Sequence, residues 1–112
     1  MTKRLYATQD FCPIARTMNV VGDRWTMLIL RDLSWGRKRF AELEASLIAI
    51  GPTLLSDRLK SLVANGMVDR ITYNERPPRA LYKLTEKGKG FIPVLLALRE
   101  YGNTWEPEAI PQ

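Results

Sequence analysis

The sequence predicts an α+β fold that is mainly α: four helices, a β-hairpin and a long last helix. Apolar residues recur at helical spacing up to Gly66, and from Met67 to Leu84 the pattern turns extended. Beyond Thr85 the helical spacing returns and runs to about Trp105. With 112 residues, one domain over 1–112 is expected, with a structured core of about 10–105.

Pro13 and Gly22 bracket the first helix, with Gly22 suited to a left-handed residue after its end and Ile14, Met18 and Val21 forming one stripe. Asp23 then caps a second helix in which Trp25, Met27, Leu28, Ile29, Leu30 and Leu33 leave almost no polar side. A helix of that composition is the buried centre of a domain. Arg37-Lys38-Arg39 opens a short third helix carrying Phe40, Leu43 and Leu47 on one side. After Ile48-Ala49-Ile50, Gly51 and Pro52 sit at the N-cap and first position of a fourth helix, which ends at Gly66. Two short helices joined by a tight connector make a helix-turn-helix pattern. The hairpin follows, with Ala80, Tyr82 and Leu84 on one face and Asn74-Glu75-Arg76-Pro77-Pro78 as its loop. Gly88, Gly90 and Pro93 weaken the first half of the last helix, and Pro93 is expected to kink it.

Composition narrows the function. The chain has no histidine and one cysteine, which excludes His-based nucleophilic sites, His-ligated metals, Cys-rich zinc sites and internal disulfides. No nucleophile stands beside a base and no glycine-rich phosphate loop precedes a helix, so no enzyme and no cofactor are expected. Nothing approaches the ~20 apolar residues of a membrane span, and the first residues lack the apolar core of a signal peptide, so a cytoplasmic protein is expected. The net charge of +5 hides an asymmetry: residues 1–99 hold 17 cations against nine acids, a net of +8, and the last 13 residues carry only acids. Eleven of those cations are arginines, whose planar fork suits phosphate and guanine.

If Leu55, Leu59 and Leu62 point inward, the ~100° step of a helix turns Thr53, Asp57, Lys60 and Ala64 outward, with Ser56 at the side and Arg58 at the edge of the buried stripe. Small and hydroxylated groups near a helix start reach base edges, and a lysine reaches phosphate. Arg76 and Arg79 flank the hairpin prolines, and Arg39 belongs to a third basic cluster. Double-stranded DNA is the expected partner, with Arg39, Thr53, Ser56, Arg58, Lys60, Arg76 and Arg79 as candidate contacts. The other reading is a protein-interaction module on the same scaffold, which Asp57 on the outward face favours. On the last helix Val94, Leu95, Leu96, Leu98, Tyr101 and Trp105 cover more than one side, which calls for a partner subunit or a fold-back onto the core.

These residues carry a family resemblance. Cys12-Pro13-Ile14, Gly22-Asp23-Arg24-Trp25 through Leu33, Arg39-Phe40-Ala41-Glu42-Leu43, Leu55 to Leu62, Gly66-Met67-Val68, Tyr73, Pro77-Pro78-Arg79 and Leu84-Thr85-Glu86-Lys87-Gly88 resemble the HxlR-type winged helix-turn-helix regulators, over about residues 10–105. The resemblance implies a homodimeric bacterial transcription factor, related in fold to the MarR group, that acts as a repressor or an activator. It also implies dimerisation through the first and last helices, the fourth helix (about 52–65) in the major groove, and residues 74–79 as the wing. Where the family commonly has Ser and, two residues later, Lys, this chain has Gly51 and Thr53, so a Lys contact does not carry over. Tyr101 stands where the family often has Trp. Some members sense electrophiles, quinones or oxidants through a cysteine at the position of Cys12. Its place near a helix N-terminus favours a thiolate, while packing as a small apolar residue is the other role open to it.

Overall fold

The computed structural model describes residues 11–109, and its centre is the second helix. Helix α1 spans Pro13–Val21 and α2 spans Thr26–Ser34. A two-residue strand β1 (Lys38–Arg39) leads into α3 (Phe40–Ser46) and α4 (Pro52–Ala64). Strands β2 (Val68–Glu75) and β3 (Pro78–Leu84) form the hairpin, and α5 (Glu86–Lys89) and α6 (Ile92–Trp105) close the chain. Ile29, Leu30 and Leu33 of α2 are buried among Leu43, Leu55, Leu59 and Leu62, so the apolar sides of α2, α3 and α4 meet in one shared core. Among the described residues no helix is long and apolar enough to cross a membrane.

Asp23 stops α1 from running on into α2. Its Oδ1 accepts the Trp25 N–H at 2.9 Å and the Thr26 N–H at 3.0 Å, satisfying donors at the start of α2 as an N-cap does. Gly22 is not left-handed as expected: its φ is −78°. A β-carbon there would stand 2.4 Å from the Met18 carbonyl oxygen, so the space is too tight for a side chain.

The helix-turn-helix connector depends on backbone geometry. Gly51 caps α4 at φ 76°, ψ 150°, a region essentially reserved for glycine, and Pro52 follows in the first turn. Gly51 is therefore matched to this turn, and it contributes no side-chain cap. Ile50, buried, pins the connector to the core.

The sheet has the order β1-β3-β2, all antiparallel. The sequence reading missed β1. The basic run does not open α3: Lys38 and Arg39 pair with Tyr82 and Leu81 of β3, and the helix begins at Phe40. The expected loop of residues 74–78 is also shorter. Asn74 and Glu75 belong to β2, Pro78 pairs with Glu75, and only Arg76 and Pro77, joined by a cis peptide bond, lie between the strands. A terminal position of this kind tolerates proline because no further ladder donor is needed from it.

The last helix is broken rather than kinked. Pro93 sits in the first turn of α6, where its missing N–H costs nothing. The break falls at Gly90 and Phe91, and the buried Phe91 ring holds it to the core. Thr85 caps α5 as expected, its Oγ1 accepting the Gly88 N–H at 3.1 Å while donating to the Gly66 carbonyl at 2.6 Å.

Candidate nucleic-acid interface

Helix α4 buries Leu55, Leu59 and Leu62 and turns Thr53, Asp57, Lys60 and Ala64 to solvent, as the sequence reading placed them. Ser56 is half-buried beside them. Near the C-terminal end of this face a cleft of about 400 Å³ opens between the helix and the hairpin. Ser56 and Lys60 line it from α4, and Arg70 and Tyr82 line it from the sheet. Arg70 escaped the sequence reading, although a signal for it exists. It lies two residues beyond the buried Val68, so the period of two puts it on the same sheet face, and it pairs with Tyr82 in the register. Its Nη1 donates to Thr72 Oγ1 at 3.2 Å, which steadies the guanidinium along the strand.

Further out, Arg76 and Arg79 are both exposed at the hairpin end. The Arg76 N–H donates to Asn74 Oδ1 at 3.3 Å, tightening the turn, and Arg79 faces Asn74 across the ladder. A register irregularity at Tyr73, between Thr72 and Asn74, bends this part of the hairpin. Arg39 joins the same sheet from β1, opposite Leu81 of β3, and stands at the N-cap of α3. Its N–H and Nε both donate to Glu42 Oε1, at 3.0 and 3.2 Å. The Arg39 N–H, and then its guanidinium, hold the Glu42 carboxyl below the ordinary range, so part of the Arg39 charge is already answered locally.

Arg58 differs most from the other candidates. Its Nε lies 3.2 Å from Asp23 Oδ1, in the turn between α1 and α2. The contact is a charge pair without hydrogen-bond alignment, because the buried Nε has no hydrogen-bond partner. Burial pushes the Asp23 carboxyl up. The Thr26 hydroxyl, the N–H groups of Trp25 and Thr26, and lastly the Arg58 charge outweigh that, so its pKa is lowered.

A second surface lies where α1 approaches α6. An apolar groove of about 750 Å³ is lined by Ile14, Met18, Met27, Phe91, Val94 and Leu98. Around it apolar groups stand in solvent: Ile14 is 73% exposed, Tyr101 63% and Trp105 68%, and no residue of α6 is buried. Cys12 occupies the N-cap position of α1, half-buried, with its carbonyl accepting the Arg16 N–H at 3.0 Å.

Helix α4, the hairpin beside it and the apolar end helices belong to a chain that matches a known family. Residues 20–110 fit the family model described as HxlR-like helix-turn-helix. The chain belongs to the HxlR-like helix-turn-helix family. By family it is a helix-turn-helix transcriptional regulator with a winged-helix fold. It is 34% identical over 100 residues to an HTH-type transcriptional regulator of Synechocystis, covering 89% of this chain and 74% of that one. It is 39% identical over 94 residues to an HTH-type transcriptional regulator of Mycobacterium tuberculosis, 84% of this chain, and spans only 59% of that relative's length. Among solved structures, the reduced form of the redox regulator HypR superposes with a TM-score of 0.79 at 32% identity, covering 83% of this chain and 92% of that one.

Proposed function

We propose that this HxlR-like protein binds double-stranded DNA as a homodimer at a pseudo-palindromic promoter site. The observation that carries the reading is the exposed face of α4 set beside a basic hairpin, with the Lys60 and Arg70 cleft between them. In this reading α4 enters the major groove, with Thr53 and Ser56 facing base edges. Lys60 and Arg70 hold a phosphate at the cleft, and Arg76 and Arg79 follow the backbone or the minor groove. Arg39 and Arg58 stand at the rim of this surface. Exposed apolar residues on α1 and α6 support the dimer, since a partner subunit removes that surface from water. Two copies of α4 would then stand about one DNA turn apart, ~34 Å. The protein acts in the cytoplasm, and no membrane is involved.

The test is selection of duplexes from a randomised pool, followed by binding of the enriched sequence. Arg79→Ala is expected to weaken binding to every duplex alike, about five- to tenfold. Thr53→Ala is expected to change discrimination at one base-pair position, by about tenfold. Absence of any sequence-selective binding rejects the proposal and favours a protein-interaction module with Asp57 on its contact face.

Cys12 makes the regulator responsive to oxidants or electrophiles in this proposal. Its N-cap place at α1 and the likeness to a redox regulator support the role. With one cysteine in the chain, the product is an adduct, a sulfenic acid or a bridge between subunits. Quinone treatment is expected to lower the wild type's DNA affinity and leave Cys12→Ser unchanged. Equal loss in both proteins discards the thiol as sensor.

A further inference from the structure

Asp23 and Arg58 belong to different parts of the fold. Asp23 lies in the turn that ends α1 and begins α2, and Arg58 lies on α4. The turn is rigid: Asp23 Oδ1 accepts two backbone N–H groups and Oδ2 accepts the Thr26 hydroxyl. Thr26 is itself buried. A carboxylate fixed from behind in this way presents its charge at a constant place. On the other side, Arg58 Nε is buried, 3.2 Å from that carboxylate. Both side chains are about one-third exposed or less, so water screens the pair less than it screens the free cations of the hairpin. Arg58 follows Asp57 on the outward face and precedes Leu59 in the core, so any rotation of α4 about its axis must move this contact.

We propose that Asp23 is a positioning residue for DNA recognition: through Arg58 it sets the rotation of α4 against the turn that joins α1 to α2. The inference rests on the reading that α4 binds DNA, and it gives Arg58 a tether's role where the sequence pattern suggested a direct contact. It also gives the Gly22-Asp23-Arg24-Trp25 segment a purpose beyond capping. The helix on the far side of this turn is α1, whose exposed apolar residues support the dimer, so the pair links the dimer surface to the reading surface. A rotated α4 keeps its charge but misplaces Thr53 and Ser56 against base edges. Selective binding therefore falls while non-selective binding persists.

Charge alone and positioning predict opposite signs for one substitution. Asp23→Asn removes a negative charge from a protein that binds a polyanion, which by electrostatics alone strengthens binding. Positioning predicts the reverse: about three- to tenfold weaker binding to the enriched duplex, with affinity for a scrambled duplex equal to or above the wild type's. Arg58→Gln is expected to show the same selective loss with an unchanged salt slope, and Arg58→Lys to recover part of it. The double variant is expected to lose no more than the worse single one, because both remove the same contact. Thermal unfolding is recorded for each variant. If Asp23→Asn does not fold, the salt slope and selectivity of Arg58→Gln decide the matter, since Arg58 lies outside the hydrogen bonds that cap α2. Tighter or unchanged selective binding by Asp23→Asn overturns the proposal, as does a salt slope lowered by about one phosphate in Arg58→Gln. A wild type without selective binding overturns the DNA reading and this inference together, whereas a selective wild type with indifferent variants overturns this inference alone.

Discussion

Raising salt from ~50 to ~200 mM is expected to weaken binding of the enriched duplex by ~10³–10⁵-fold. Lys60, Arg70, Arg76 and Arg79 are each exposed on the α4 and hairpin side. Those four cations, doubled in a dimer, suit a footprint of roughly 6–10 phosphates. Each neutralised phosphate releases condensed counterions, so affinity falls linearly on a double-logarithmic plot with a slope near −0.9 per phosphate. Arg39 is expected to contribute less than its charge suggests, because Glu42 already holds its guanidinium. Titration of a fluorescent duplex over a series of salt concentrations measures the slope. A slope near zero would mean that phosphate neutralisation plays no part, and the proposed interface would be wrong.

Gly88→Ala is expected to destabilise the protein by ~3 kcal/mol or more, since overpacking against a rigid neighbour lies at the upper end of such costs. A β-carbon at position 88 would stand 2.2 Å from the Met67 carbonyl oxygen and 3.0 Å from Leu84 Cδ2. The carbonyl cannot withdraw freely, because it accepts the Thr85 N–H at 3.0 Å at the base of the hairpin. Thr85 is tied in turn to Gly66, and Lys87 Nζ donates to the Asn65 carbonyl at 2.7 Å. The junction of α4, the hairpin and α5 is thus one hydrogen-bonded unit with no room for a methyl group. For a domain of this size the loss corresponds to a fall in Tm of about 10–20 °C. Thermal unfolding followed by circular dichroism measures it, and a fall of only ~2 °C would show that the junction yields. By contrast, among the described residues nothing beyond the adjoining backbone of its own helix lies within 4 Å of a β-carbon at Gly102 in α6.

These two glycines look alike in the sequence, both inside a helical pattern near the end of the chain. Their difference shows where pattern reasoning stops. The period of apolar residues located α4 to within a residue, together with its buried leucines and its outward face, because helical spacing is a local property. The hairpin was legible for the same reason, and Thr85 as a cap followed from residue chemistry. Strand β1 was not legible. Two residues carry no period, and they become a strand only because β3 lies alongside. The expected kink at Pro93 was wrong in kind: proline there opens a new helix, because Phe91 turns into the core and ends the old one.

The candidate interface divides in the same way. Thr53, Asp57 and Lys60 were placed by spacing along one helix, and Arg76 and Arg79 by their position in a hairpin. Arg70 joined them only once the sheet register brought it opposite Tyr82 and beside Lys60. Arg58, at the edge of the buried stripe, was a candidate DNA contact until Asp23, 35 positions earlier in the chain, came within 3.2 Å. Helical and strand periodicity, the caps, the charge asymmetry and the family motifs are written in neighbouring residues and can be read without coordinates. Which glycine is crowded, which arginine is tethered and which apolar side remains uncovered depend on segments far apart in the chain. Those contacts arise only when the core closes and sets the distances between them.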